Sequence, residues 1–247
     1  MSWAIPWLER TSPFPPQPWR HGPYPGLVAG GGDLSPERLL RAYELGLFPW
    51  YQRAEPILWW SPDPRGVLFP QALHVSRRTW RTLRRSHLQV YIDRHFSEVI
   101  RACAEDRPGE SGTWIHPEMI AAYERLFHLG HAHAFALYEG TRLIGGLYGV
   151  VVGRIFCAES MFSRRPDASK LCLICAVHWL AQAGCPLIDI QLLNPHTASL
   201  GGREIAREHY LAILKCERLR SLPEIWQPDI DLMQFLQGLI SSGSEAS

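Results

Sequence analysis

The second half of the chain alternates between apolar and polar positions in a way that names its elements. Runs of strand length occur at Leu88 to Ile92 and at about 132 to 138, 142 to 151 and 155 to 162, with turn signals at Glu139-Gly140 and Gly153-Arg154. Helical spacing occupies about 95 to 105 and the stretch from Pro117 to Gly130. A longer helix is expected from Asp167, an N-cap residue type, to Gly184, a C-terminal glycine. The next run, LIDIQLLN from Leu187 to Asn194, reads as a strand again. Strand, helix and strand in this order predict a parallel βαβ unit with a right-handed crossover. Ligands in such sheets sit near the carboxyl ends of the strands.

Polar residues interrupt these apolar strands at three places. In LIDIQLLN, period-two alternation puts Asp189 and Gln191 on one face with Leu187 and Leu193, about 7 Å apart along the chain. In the preceding strand, Ile155, Cys157, Glu159 and Met161 share a face by the same rule. A buried carboxylate costs several kcal/mol unless it is hydrogen-bonded or faces a wet cavity, at about 2–7 kcal/mol for an unpartnered polar group. Each of these acids is therefore a satisfied structural group or part of a site.

The N-terminal third lacks this rhythm. It is rich in Pro and Trp, through FPPQPW, GGGDLSPERLLRAYELGLFPWY and ILWWSPDPRGVLF. Ser35 followed by Pro36 and Glu37 announces one helix, which Gly46 ends. A small helical module wrapped in loops is expected over 1–70, followed by a catalytic domain over 71–247. The GGGD before the helix lacks the Gly-Lys-Ser/Thr of a phosphate loop and reads as turn geometry. The tail SSGSEAS has the composition of a disordered segment.

Composition narrows the class. With 247 residues, 46% of them hydrophobic, the chain can bury a large core. No run approaches the ~18–20 apolar residues of a membrane span, and the start MSWAIPWLER lacks a signal-peptide pattern, so the cytoplasm is the expected location. The six cysteines have no disulfide-framework spacing; Cys172 and Cys175 lie in an apolar helical run and read as buried packing. His128, His131 and His133 straddle a helix end and do not match a metal-ligand pattern. A net charge of only +1 means that a polyanion would have to be met by a local patch. HVSRRTWRTLRRSH, residues 74 to 87, carries Arg77, Arg78, Arg81, Arg84 and Arg85 without an acid. On a helix most of these fall along one side, as a nucleic-acid contact or as a solvated face.

The order β-α-α-β-β-β-α-β resembles the GNAT acyltransferase fold, which makes the expected class α+β with a mixed sheet. CoA-dependent members of that fold bind pyrophosphate through a glycine turn before the helix that follows the fourth strand. Here the turn reads SRRPDASK, residues 163 to 170, without glycine, so the backbone cannot approach a pyrophosphate closely. No G-x-S-x-G hydrolase elbow occurs.

GGDLSPERLL, GLFPWY, ILWWSPDPR, HVSR, GTWI, ESMFSR with ASK, and LIDIQLLNPHTASLG, taken together and in this order, resemble the leucyl/phenylalanyl-tRNA–protein transferase family. The chain departs from that pattern at Gly30, Ala158 and Ala206. The resemblance implies transfer of Leu, Phe or, less well, Met from aminoacyl-tRNA to proteins beginning with Arg or Lys, marking them for degradation. It implies no cofactor and no metal, because the donor ester is already activated. It also carries catalytic roles onto Asp189 and Gln191, with Asp189 expected to hold the attacking amine. Glu159 is expected to face the basic acceptor side chain. Trp50, Trp114, Phe156, Met161, Ile188 and Asn194 are expected around the donor's aminoacyl group or terminal adenine, and the arginine helix on the acceptor-stem phosphates. Two other readings are a CoA-dependent N-acetyltransferase, disfavoured by the missing glycine turn, and a non-catalytic tRNA-binding module in which both acids are structural.

Overall fold

A computed structural model describes residues 5–17, 24–85, 88–105, 113–226 and 231–233; the SSGSEAS tail lies outside them. The described chain is a mixed α/β structure with two sheets. The first takes β1 (Trp7–Leu8), β2 (Leu27–Gly31), β3 (Phe48–Pro49) and β4 (Leu58–Trp60) in the order β1-β2-β4-β3. Helix α1 (Pro36–Glu44) accompanies it; Ser35 Oγ accepts from Arg38 N at 3.4 Å and Pro36 fills the first turn. The N-terminal third is thus a small sheet with one helix, not the helical module in loops expected above. Its strands are two to five residues long, too short for an alternating pattern to register.

The large sheet begins with β5 (Arg65–Leu68), which leads through a 3-10 turn to α2 (Arg77–Arg85). There follow β6 (Leu88–Ile92), α3 (Phe96–Cys103), α4 (Pro117–His128), β7 (Ala132–Glu139), β8 (Arg142–Val152) and β9 (Ile155–Ser163). Helix α5 (Ala168–Gln182), β10 (Ile188–Gln191), α6 (Pro195–Ala198), β11 (Arg203–Ile205) and α7 (Arg207–Glu217) complete the chain. The strand order is β11-β5-β10-β9-β8-β7-β6, with β9 and β10 parallel and the remaining neighbours antiparallel. The βαβ unit expected from the alternating pattern is therefore present.

Alternation along the strands feeds two apolar layers. Ala134 and Ala136 of β7 pack with α3 and α4, while Phe135 and Leu137 pack with α5 on the opposite face. Helix α5 buries ten of its residues, among them Cys172 and Cys175, so both thiols are core packing. Asp167 is the N-cap of α5 as expected, but with a left-handed backbone at φ +64° and no capping hydrogen bond from its side chain. Among the described residues no helix is long and apolar enough to cross a membrane.

Candidate functional site

Two β-bulges break the alternation on neighbouring strands, and the polar residues sit at both. In β9, Tyr148 of β8 pairs with Ser160 and Gly149 pairs with Ala158, leaving Glu159 as the extra residue. Before it Ile155 and Cys157 belong to the α3/α4 layer; after it Phe162 does, and Met161 turns to the α5 layer. Glu159 and Met161 thus do not share a face, because the bulge resets the period. In β10, Asp189 pairs with Val67 and Gln191 with Gly66, so Ile190 is the extra residue. Gln191 has a left-handed backbone, φ +53°. The chain beyond it runs against β5, where a Cβ on Gly66 would lie 2.7 Å from Leu193 N. Only glycine fits there.

Asp189 holds this geometry from inside the protein. Its Oδ1 accepts from Gln191 N at 3.0 Å, fixing the left-handed turn, and from Arg65 Nε at 2.8 Å. Its Oδ2 accepts from Arg65 Nη2 at 2.6 Å and Tyr210 OH at 2.8 Å. Asp189 and Arg65 are 0% and 1% exposed. Arg65 also donates to Gly46 O at 3.0 Å and lies over the Tyr210 ring at 4.5 Å. Burial works against its charge, but the Asp189 carboxylate more than offsets this and holds the guanidinium ionised. Both Asp189 oxygens are committed to these donors, and the fully buried Asp189 is not among the residues that line the cleft described below, which corrects the expectation that Asp189 itself grips the amine.

Glu159 and Gln191 do reach open space. They line a cleft of about 830 Å³ with Trp114, Ala158, Met161, Ile190, Asn194 and His196. Gln191 Nε2 donates to Glu159 Oε1 at 2.9 Å, and Tyr123 OH donates to Oε2 at 3.0 Å. Tyr43 OH lies 2.5 Å from Tyr123 OH, extending the network into the core. Burial pushes the Glu159 carboxyl up to about 7, against the hydrogen bonds from Tyr43 and Tyr123, with the Asp189 charge adding to the rise. Near neutral pH this acid stands close to half ionised. Tyr123→Phe removes a donor that favours the carboxylate, so the Glu159 titration is expected to move to higher pH. Carboxyl-carbon NMR of labelled glutamate would read this; an unmoved titration would mean that Tyr43 alone suffices.

The other expected site residues divide. Trp114, Met161 and Asn194 line the cleft, and Asn194 also caps α6 by accepting from Thr197 N at 2.9 Å. Phe156 and Ile188 pair across β9 and β10 and are 1% and 0% exposed, so they are core; Ala158 and Ile190, two residues further along, give the cleft its apolar floor. Trp50 sits on the surface against Trp60, with ring centroids 5.7 Å apart, and is not among the cleft-lining residues. Arg77, Arg78 and Arg81 are exposed on α2 while Thr79 and Leu83 turn inward. Arg84 and Arg85 belong to the same helix, but their side chains lie outside the described residues. Among the described residues no three ligating side chains converge on a metal site. His133 instead bonds Asp93 at 2.7 Å and stacks on Trp226 at 3.6 Å.

Sequence reasoning missed Arg65, Tyr43, Tyr123 and Tyr210. An arginine opening the apolar run RGVL is a signal that could have exposed Arg65, since a buried guanidinium needs an acid. The tyrosines sit at apolar helix positions with nothing local to mark them.

A mixed α/β scaffold thus turns a carboxylate and an amide into one cleft beside paired bulges, and the relatives below make it an enzyme of the acyl-transferring class. The chain belongs to the leucyl/phenylalanyl-tRNA protein transferase family. The family's model matches residues 67–215, and that of its N-terminal domain residues 32–63. A leucyl/phenylalanyl-tRNA–protein transferase from Chromobacterium violaceum is 52% identical over 85% of this chain and 91% of its own length. One from an Anaeromyxobacter strain is 57% identical over 76% of this chain and 81% of its own. One from Nitrosomonas eutropha is 49% identical over 84% of this chain and 88% of its own. A solved structure, L-PGS from Bacillus licheniformis, aligns with a TM-score of 0.39 at 11% identity, over 68% of this chain and 55% of that one. That likeness is too slight to carry an argument.

Proposed function

We propose that this aminoacyltransferase moves Leu or Phe, and less well Met, from aminoacyl-tRNA to the α-amino group of proteins beginning with Arg or Lys, marking them for degradation. The observation that carries the reading is Glu159 in the cleft beside Gln191, a half-buried acid poised near pH 7. An arriving guanidinium or ammonium draws it into its ionised form, whereas a neutral side chain leaves its desolvation uncompensated.

The reaction asks little of the protein's acids and bases. The amine nitrogen attacks the ester carbonyl carbon, the amide bond forms, and the bond to the terminal ribose oxygen breaks, that oxygen leaving with a proton. An N-terminal amine has a pKa near 8, so about 10% is already neutral at pH 7, and a full base would add only about 1.4 kcal/mol. Positioning matters more. Gln191 directs the amine toward the ester, Asp189 and Arg65 fix Gln191, and Trp114, Met161, Ala158 and Ile190 take the donor's apolar side chain. Asn194 lines the donor's side of the same cleft. Phe156 and Ile188 support the floor from behind, and Trp50 offers an exposed ring outside it.

Arg77, Arg78, Arg81, Arg84 and Arg85 meet the acceptor-stem phosphates, giving affinity without sequence readout. The chain is read as a small N-terminal module and a GNAT-like acyltransferase domain, with the boundary expected at 70/71 moved ahead of β5, since Arg65–Leu68 belongs to the large sheet, and as acting in the cytoplasm without a cofactor or metal. The test is transfer of radiolabelled Leu or Phe from charged tRNA to a peptide beginning with Arg, beside the same peptide beginning with Ala. Label on the Arg peptide alone is expected. Equal labelling of both would remove Glu159's assignment, and none on either would remove the reading.

A further inference from the structure

The arginine helix and the cleft wall meet at one glycine. Gly201 follows α6, whose residues Pro195, His196 and Thr197 line the cleft together with the cap Asn194. Its backbone is left-handed, φ +94°, and an added Cβ would lie 2.0 Å from Ala72 O and 3.4 Å from His74 N. Ala72 and His74 belong to the segment that leads into α2. His74 N donates to Leu200 O at 3.0 Å, closing the contact with a hydrogen bond. On the other side of the same turn, Gly202 N donates to Thr197 O at 2.9 Å. The loop is thus pinned to α6 and to the approach to α2 at once. Leu200, which it carries, is 2% exposed and packs in the α5 layer with Leu83 of α2.

This contact sets a distance. Arg77, Arg78 and Arg81 are exposed on α2, and among the described residues none of them is paired with an acid. A donor held there by its phosphates must deliver its ester to Glu159 and Gln191, so the span from α2 to the cleft has to match the span from the gripped phosphates to the aminoacyl end. We propose that Gly201 is a positioning residue for the donor: the close approach that its missing side chain permits locks the arginine helix to the cleft wall at that span. The proposal rests on the reading of α2 as the tRNA grip. No side chain fits at this point. A Cβ at 2.0 Å from a carbonyl oxygen must push the two segments apart, and the left-handed backbone disfavours any L side chain as well.

The experiment compares two donors on Gly201→Ala, with an Arg-initiated peptide as acceptor. One donor is full Leu-tRNA or Phe-tRNA; the other is leucyl- or phenylalanyl-adenosine, which fills the cleft without reaching α2. The expected result is a rise in KM for the full tRNA of about 10-fold or more, with kcat/KM for the small donor within about 2-fold of wild type. Equal losses on both donors would make Gly201 a structural residue only, and no loss on either would overturn the coupling. If Gly201→Ala does not fold, a variant with one glycine inserted between His74 and Val75 displaces α2 while keeping Gly201. The same split between donors is expected of it, and equal losses or none would overturn the proposal. Arg77→Ala with Arg81→Ala tests the underlying reading separately: tRNA affinity should fall and its salt dependence flatten. If affinity and salt slope are unchanged in that double variant, α2 is not the grip, whatever Gly201→Ala does.

Discussion

Asp189→Ala is expected to be among the most destructive single changes in the protein, lowering stability by about 3–5 kcal/mol, because it strands the Arg65 guanidinium in the core without its anion. Against a total stability of ~5–15 kcal/mol, this is a large share, and melting should fall by about 10 °C. Tyr210 OH and Gln191 N lose their acceptor in the same step. Asp189→Asn separates the two consequences. It keeps the shape but removes the charge and turns one accepting oxygen into a donor facing donors. Single-turnover transfer should then fall while affinity for charged tRNA stays near wild type, since the damage lies in Gln191's placement and not in the donor grip. Wild-type transfer rates in Asp189→Asn would show that Gln191 does not depend on this clamp. Double variants with Arg65 should be far from additive, as the two act as a unit.

Glu159→Gln should change what the enzyme accepts and how it responds to pH. Removing the anion is expected to reduce kcat/KM for an Arg-initiated peptide by about 30- to 1000-fold, the equivalent of ~2–4 kcal/mol for a truncated charge pair. An Ala-initiated peptide should be affected little, so the preference collapses. If the variant still separates Arg from Ala acceptors as wild type does, Glu159 does not read the acceptor. The wild-type rate on Arg peptides should climb as pH rises through about 7, where Glu159 ionises, and the variant should lose that limb but keep the one due to the amine. Stability runs the other way. The carboxyl is raised from 4.5 to about 7, so its protonated form fits the fold better. That contribution is fully present below pH 4.5 and lost as pH rises to about 7. At pH 8 Glu159→Gln is therefore expected to be more stable than wild type by about 1–3 kcal/mol, measured by denaturant unfolding.

Sequence reasoning failed for one reason at the site and for others elsewhere. Period-two alternation located β7, β8 and β10 and correctly set Leu187 and Ile188 on opposite faces. It then grouped Glu159 with Met161, and that grouping does not survive, because a bulge adds a residue to β9 at the site itself; in β10 Ile188 and Ile190 stay in one layer across the bulge. A bulge is set by what the neighbouring strands and buried partners demand, and no local pattern announces it. The first sheet escaped notice because its strands are too brief to alternate. Phe156 and Ile188 were expected around the donor from the family resemblance, yet the next pair along the strands, Ala158 and Ile190, is what meets the cleft.

While β5, β11, α6 and α7 went unread, by itself the sequence determined helices α1 to α5, strands β6 to β10, the parallel βαβ unit and the family, and it singled out the acids, the amide and the arginine run as candidates. These follow from short-range periodicity, caps and ordered motifs, all of which are written within a few residues of one another. Tertiary structure alone decided the roles. It set Arg65, 124 residues away in the chain, against Asp189, and Tyr43 and Tyr123 beside Glu159. It turned one acid inward as a clamp and left the other facing the cleft near neutral pH. The physical reason is that a carboxylate's charge and reach depend on which donors and how much water surround it, and folding alone brings those distant groups together.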